Sequence, residues 1–590
     1  MLFFLNSLPN LLSKSDIRQI VFLSLASLLA AIIEVSGILI ISFLIINYSS
    51  LEIFLNDTYF FNYFISLLGL DSKYHILFFG LLIMIYISVS IFIFLAIMKK
   101  VTFSTQRISR NIKTKMIEII LMQSWTQISH KSHSENISKI VNDTHQTGFA
   151  VDCLLRLLSK LWLALLIFIG LLLFNPIFTA TLALILISSY VLIFFSFRSF
   201  LLISGQEISK ASDNLIKELS NMLGFFKEII FYNTQSKVGT TLFNYSDEIA
   251  NATAQNLYLT NIPRFLVDAL ILGILVVILI FFSFLQSSDT SFLSTVSIYG
   301  LAAIKILPAF QNIFYYAQQI SAREVNFQNL LTLASQSNDP IDKDNGKKLI
   351  FNNEIIFKNI HYSHKSSSLF FNDINCTISS GDKIALLGRS GSGKSTFIDL
   401  LLGIISPDLG SISIDQSDIS QNIISYRENF AYISQKAYIL EGTLRENLLI
   451  TLDKNLHDSE LIKLINQSGI DSFFGNFKDG LDSMISETNQ YISGGEKQCL
   501  AFARAFAQKR PMLVIDEGTA SMDQKLASKI MRNTLAKYET IICSTHQAHM
   551  LEYFTKAIIF ENGRITAIDT IDNLKQSNAF VQNMLMNKSF

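Results

Sequence analysis

Six runs in the first half of the chain leave it little freedom there. Residues 20–46, 76–98, 157–174, 177–197, 265–285 and 292–316 are predominantly apolar, and each is close to the ~20 residues a helix needs to cross a bilayer. Within hydrocarbon every backbone N–H and C=O must be satisfied internally, so such runs become helices. Charges are few: Glu34 in the first, Lys160 in the third, Asp268 in the fifth and Lys305 in the sixth, which also holds Pro308. Half of all residues are hydrophobic and 48 are Phe, which suits a membrane protein better than a soluble one. We expect an all-α membrane domain of six transmembrane helices over 1–325, a linker over 326–348 and a second domain over 349–590.

Orientation follows from Lys and Arg. Lys14 and Arg18 precede the first run. Lys99, Lys100, Arg107, Arg110, Lys113 and Lys115 follow the second, Arg198 and Lys210 the fourth, and Arg323 the sixth. The opposite loops carry Glu52, Asp57, Asp71, Lys73 and Asp289. Both termini are therefore expected in the cytoplasm. The mixed-polarity segments 99–155 and 203–260 read as long cytoplasmic extensions of the spans. Within them, Glu135–Ile140 and Gly224–Ile229 read as ordinary amphipathic helix or as points of contact with the second domain. Loop 49–73, rich in Phe and Tyr, reads either as an interfacial helix or as a span-edge anchor.

Residues 2–12 are too short and lack the cleavage pattern for a signal peptide. Cys153, Cys376, Cys499 and Cys543 show no metal-ligand or disulfide spacing, so reduced thiols are expected. The formal net charge is zero, and no basic excess points to nucleic acid.

The second domain alternates apolar strands with helices. Within it stands an apolar run, Lys383-Ile384-Ala385-Leu386-Leu387. Next come Gly388-Arg389-Ser390-Gly391-Ser392-Gly393-Lys394-Ser395 and a helical stretch from Thr396. Strand, Gly-rich turn and helix are the context a phosphate-binding loop requires. Its amides wrap phosphate oxygens at a helix N-terminus. Lys394 would reach the β/γ-phosphates and Ser395 would hold Mg²⁺. A second strand, Met512-Leu513-Val514-Ile515, ends in Asp516-Glu517. Asp516 suits Mg²⁺, and Glu517 suits polarising an attacking water.

Between these elements stands Ile492-Ser493-Gly494-Gly495-Glu496-Lys497-Gln498. With it the whole chain resembles an ATP-binding-cassette exporter, a membrane domain fused to one α/β P-loop ATPase domain. The family's signature is Leu-Ser-Gly-Gly-Gln; here Ile492 and Glu496 replace its ends. The resemblance implies that Ser493, Gly494, Gly495 and Glu496 contact ATP from the opposite subunit, hence a homodimer with ATP and Mg²⁺. It implies that Gln435 links Mg²⁺ and the attacking water to the membrane domain. It makes Asp523 the inter-subunit Asp, and His546 the switch residue near the γ-phosphate. His546 alone would read as structural; its order and spacing among the motifs give it this role. Where the family stacks adenine on Tyr, this chain has His364, with Tyr362 two residues earlier.

The membrane half is most similar to the bacterial lipid-linked oligosaccharide flippase of protein N-glycosylation. That similarity is carried by Asn261-Ile262-Pro263-Arg264, by Phe292-Leu293-Ser294-Thr295-Val296-Ser297-Ile298 and by Lys305-Ile306-Leu307-Pro308. It implies ATP-driven transfer of a lipid-linked glycan across the bacterial inner membrane. A peptide, another lipid or a drug is the alternative cargo, and an ATP-gated channel or regulator the alternative class. Arg264 and Lys305 would offer positive charge to a pyrophosphate head group. Asp268, one turn after Arg264, is the competing partner.

Overall fold

The computed structural model describes residues 2–46, 75–129, 133–284, 290–335, 346–363, 370–452, 456–486 and 492–586. The aromatic loop 49–73 and His364 lie outside these. Two compact units result: Met1–Gln123 with Gln127–Asp339, and Ser124–Thr126 with Pro340–Phe590.

The first unit is wholly helical among the described residues. Its long helices are Lys14–Ile46, His75–Leu121, Thr144–Phe174, Pro176–Gly224, Gln235–Phe284 and Thr290–Ala322. Four stretches are long and apolar enough to cross a membrane: Lys14–Ile41, Gly80–Leu121, Ser134–Phe174 and Thr179–Gly224. The fifth and sixth expected runs fall on Gln235–Phe284 and Thr290–Ala322, where many side chains, Arg264 among them, lie outside the described residues. Large apolar side chains point outward: Phe92 is 75% and Leu173 85% exposed. Water would penalise such a surface, and lipid does not. This is a membrane protein.

Local chemistry sets the helix ends. Asn175 is extended, as a residue before proline tends to be. Pro176 then opens the next helix at the position where its missing N–H costs nothing. Between the helices apolar packing, as of Val35, Leu163, Ile167 and Ile306, is joined by polar contacts. Trp162 Nε1 donates to Ser24 Oγ at 3.2 Å, and the Thr179 and Tyr299 hydroxyls meet at 2.8 Å. A Cβ on Gly205 would stand 2.4 Å from the Ala322 carbonyl oxygen, so only glycine permits that approach.

Of the two amphipathic stretches, one covers a short helix, His133–Ser138, and the start of a π turn, Lys139–Asp143. The other covers the break at Phe225 and the helix Phe226–Phe231. Part of the expected linker is ordered helix: Glu324–Ser335 buries Phe327, Leu330 and Leu333 against Phe4, Leu8 and Leu11 of an N-terminal helix, Leu2–Leu11. Phe4 and Phe327 have ring centroids 4.6 Å apart.

Among the described residues the second unit has twelve strands, numbered in chain order. β1 Glu354–Tyr362, β2 Phe371–Ser379, β4 Leu409–Ile414 and β5 Ser417–Asp418 form an antiparallel sheet in the order β2-β1-β4-β5. β3 Lys383–Leu387, β6 Phe430–Ile433, β9 Met512–Asp516, β10 Thr540–Ser544, β11 Lys556–Glu561 and β12 Arg564–Thr570 form a second sheet, ordered β12-β11-β3-β10-β9-β6. It is parallel except for β12. β7 Gly442–Thr443 and β8 Met484–Ile485 pair separately.

Every residue of β9 is buried, as both faces of a parallel sheet are covered. Strand alternation divides its side chains between two cores. Met512 and Val514 join the antiparallel sheet's core, while Leu513 and Ile515 join the helical core around Phe502 and Phe506. β3 divides the same way, Ile384 and Leu386 against Ala385 and Leu387. All four cysteines are buried and free.

Candidate active site

In an open α/β sheet, ligands bind beyond the carboxyl ends of the strands. Here four neighbouring parallel strands deliver the singled-out residues to that one edge. β3 leads into Gly388, β10 into Thr545 and His546, β9 ends at Asp516, and β6 leads into Ser434 and Gln435. The register aligns them, Ser544 pairing with both Leu386 and Asp516, and Ile433 with Ile515.

The Gly388–Ser395 loop needs its glycines. Gly388 has φ +148°, and a Cβ there would lie 2.4 Å from the Phe560 carbonyl oxygen. Gly393, with φ +115°, caps the helix Lys394–Leu401, and a Cβ on it would strike Phe371 at 2.6 Å. Arg389, Ser390 and Gly391 are exposed along the loop, and Thr396 is half-buried in the first turn. Lys394 is buried and folds back, donating to the Gly388 and Arg389 carbonyls at 2.9 and 3.2 Å. Burial pushes its ammonium pKa down, and Glu517 and Asp516 oppose that shift. Ser392 Oγ is buried with no hydrogen-bond partner. An orphaned hydroxyl and a retracted ammonium at a helix N-terminus fit a phosphate chain, which would satisfy both.

Asp516 is buried. Its Oδ1 accepts from Ser544 Oγ at 2.6 Å and stands 3.5 Å from Ser395 Oγ. Ser395 and Asp516 thus present two oxygens side by side, a donor set suited to Mg²⁺. Glu517 follows in the left-handed region, φ +50°, unusual for a residue with a Cβ. Its N–H is held by Ser544 Oγ at 2.9 Å. Its carboxylate is bracketed: Oε2 accepts from Gln435 Nε2 at 2.7 Å, and Oε1 lies 3.0 Å from His546 Nε2. Backbone strain at such a place is a mark of functional sites.

A second cluster forms elsewhere on the unit. Ser493 caps the helix Gly494–Ala507 and shares a capping box with Glu496: Ser493 N–H donates to Glu496 Oε2 at 2.7 Å, and Glu496 N–H donates to Ser493 Oγ at 3.3 Å. A Cβ on Gly495 would lie 3.0 Å from the Ser521 carbonyl oxygen. Asp523 caps the helix Gln524–Lys537, accepting from Leu526 N–H at 2.9 Å. The signature helix reaches the first cluster through Gln498, whose Nε2 donates to the Gln435 carbonyl at 2.6 Å.

One expectation fails. Tyr362, expected beside adenine, is a core residue, buried with Ile360 and Phe371; an irregularity at Lys358 and Asn359 shifts the strand's alternation and turns it inward. Three contributors escaped the sequence reading. Ser544 directly precedes Thr545-His546 and Gln498 ends the Ile492–Gln498 stretch, and that adjacency is the signal in the sequence. Lys160 stands in the sequence only as a lone charge in the third apolar run. In the membrane unit Lys305 Nζ pairs with Glu34 Oε1 at 2.8 Å, and Lys160 Nζ lies 5.5 Å from the centre of the Phe94 ring. Asp268 Oδ1 accepts from Gln311 Nε2.

Fold and site together define a class, a unit of long apolar helices joined to an α/β unit with a phosphate-binding loop. Residues 371–520 match the family model described as ABC transporter, a domain that implies ATP binding. The chain is 31% identical over 251 residues to an ATP-dependent lipid A-core flippase of Idiomarina loihiensis, covering 41% of this chain and 43% of that protein. It is 29% identical over 213 residues to the transport/processing ATP-binding protein ComA of Streptococcus pneumoniae, covering 36% and 30%. The chain thus spans less than half the length of these curated relatives. A solved structure of a bacterial Atm1-family ABC exporter with ATP bound shares the fold, with TM-score 0.82 over 98% of this chain and 99% of that one, at 16% identity.

Proposed function

We propose that the chain is one half of a homodimeric, ATP-hydrolysing exporter in a bacterial inner membrane, with six spans and both termini cytoplasmic. Its cargo is an anionic amphiphile, a polyprenyl-pyrophosphate-linked oligosaccharide. The observation that carries the reading is the single sheet edge holding Lys394, Ser395, Asp516, Glu517, Gln435 and His546.

The Gly388–Ser395 loop and Lys394 hold the β/γ-phosphates. Ser395 and Asp516, with Gln435, hold Mg²⁺, which neutralises phosphate charge when bound. Glu517, fixed between Gln435 and His546, accepts the proton of the attacking water. His546 orients that carboxylate. Ser493, Gly494, Gly495 and Glu496, apart from the loop in their own chain, complete the site of a second copy, with Asp523 alongside. His364 is left as the adenine neighbour.

For the cargo, Lys160, Lys305 and Glu34 are ionisable groups on expected spans, and such groups are costly unless they serve a purpose. Two lysines against one glutamate leave one positive charge, carried by Lys160 rather than by Lys305, which Glu34 neutralises. Arg264 adds charge on the neighbouring Gln235–Phe284 helix. A pyrophosphate head group is the complement. A second reading changes the cargo to a lipid A-like lipid, favoured by the relative named a lipid A-core flippase.

The test is ATP turnover in proteoliposomes with added cargo. Polyprenyl-pyrophosphate oligosaccharide should stimulate the intact protein, and Lys160→Ala should lose that stimulation while keeping basal turnover. Stimulation by lipid A alone would transfer the assignment to the second reading, and stimulation by neither would remove both.

A further inference from the structure

A cavity of about 220 Å³ lies inside the membrane unit, between Thr144–Phe174, Pro176–Gly224, Gln235–Phe284 and the turn joining Thr290–Ala322 to Glu324–Ser335. Its walls are mixed, with Ile208, Leu257 and Ala322 beside the polar Gln146, Ser209, Ser212, Thr253 and Asn256 around Arg323. Arg323 has no carboxylate partner among the described residues. Its Nε donates to Gln146 Oε1 at 2.9 Å, and its Nη1 donates to the Gln319 carbonyl at 3.1 Å and to Gln319 Oε1. Nη2 has no acceptor among the described residues. The Phe149 ring lies 4.4 Å beneath the guanidinium and fixes its plane.

Acids nearby are committed elsewhere. Asp143 accepts from Asn326 and Asn329 at 2.7 and 3.1 Å, and Asp213 accepts from Ser138 Oγ at 2.5 Å. Burial pushes the Arg323 pKa down, yet a guanidinium stays charged. A charge removed from water without an opposite partner is costly. Meanwhile the side chains of Ser209, Ser212, Thr253 and Asn256 make no hydrogen bond to another described residue, although Ser209 and Asn256 are buried. Five groups able to donate thus line one space without an acceptor on another described residue for the Arg323 Nη2 or the four side chains opposite.

We propose that this cavity binds a small phosphate-type oxyanion, gripped by Arg323 Nη2 and the hydroxyl and amide groups opposite. The volume admits more than one phosphate, since a cavity of about 150 Å³ already holds benzene. Gly205 and Ser209 follow the apolar stretch 177–197 by roughly 12–18 Å of helix. A head-group layer is only about 5–8 Å deep. A dissolved phosphate compound therefore fits the depth better than a lipid head group.

The test uses the full-length protein in phosphatidylcholine nanodiscs, with Lys394→Ala to silence the phosphate loop, titrated calorimetrically with inorganic phosphate. We expect one site per chain. Arg323→Gln should weaken it by roughly tenfold or more, the usual effect of losing charge-assisted hydrogen bonds. Asn256→Asp, equal in size and like the ligand in charge, should abolish it by repulsion without disturbing packing. If phosphatidylglycerol discs leave the affinity unchanged, the oxyanion is a solute. If they suppress the titration, it is a lipid head group occupying the same site. Absence of binding in the Lys394→Ala protein, or binding indifferent to both pocket substitutions, would overturn the proposal.

Discussion

Glu517→Gln separates binding from chemistry more cleanly than any other change at this site. The backbone at 517 is held by the Ser544 hydroxyl at 2.9 Å, and nothing in the substitution touches that bond. A glutamine side chain has the same shape, so its carbonyl oxygen can still accept from Gln435 Nε2, now 2.7 Å from Glu517 Oε2. Lys394, Ser395 and Asp516 are unchanged. What disappears is the basic lone pair. General-base catalysis contributes about 10²–10⁴ in rate, or roughly 3–5 kcal/mol of barrier. In reconstituted discs, phosphate release should fall by that factor, while ATP affinity measured by equilibrium binding stays within about threefold. His546→Ala removes only an orienting contact at 3.0 Å, so its loss should be smaller. Groups that act as a unit are not additive, so the double variant should be no slower than Glu517→Gln alone. Turnover within tenfold of the parent, or a matching loss of affinity, would refute the role given to Glu517.

Two further outcomes test the fold. Asp415 accepts backbone N–H bonds from Asn352, Asn353 and Glu354 at 2.8, 2.9 and 2.8 Å, which hold its pKa below the usual carboxylate range. The stability this gives is present above the unfolded value and is lost as pH falls through the lower, folded one. Asp415→Asn should therefore cost about 1 kcal/mol at pH 7, discounted for exposure. The gap between the unfolding midpoints should close below about pH 3.9; a gap that widens in acid would contradict this. Phe327→Ala empties a fully buried position against Phe4 and should cost about 3–5 kcal/mol, less than additively with Phe4→Ala; a shift equal to that of a surface mutation would sink the packing argument.

The cassette was readable because its chemistry is local in sequence. A strand, a glycine loop and a helix are contiguous, and the strand ends carrying Gln435, Asp516 and His546 are each flagged by their own apolar run. Even the departure at Glu496 is explained locally, since a capping box takes Glu or Gln alike. What escaped depends on pairs distant along the chain. Glu34 and Lys305 meet across 271 positions. The N-terminal helix finds its partner at Phe327, inside a stretch that read as linker. Tyr362 was placed by family position, and strand parity counted from Ile355 and Phe357 also points it outward; the register shift at Lys358 and Asn359 turns it into the core.

The pairing of two copies around nucleotide is tested most directly by a disulfide between them. Ser390, exposed on the phosphate loop, and Ser493, exposed at the signature helix start, would face each other across the dimer. The native thiols are buried, and burial pushes those of Cys376 and Cys499 up to about 12, so background reaction is low. Copies carrying only Ser390→Cys are mixed with copies carrying only Ser493→Cys, both with Glu517→Gln, in one bilayer. Mg-ATP should produce a covalent dimer on oxidation, and Lys394→Ala should prevent it. No dimer with Mg-ATP, or the same yield without nucleotide, would contradict a shared site.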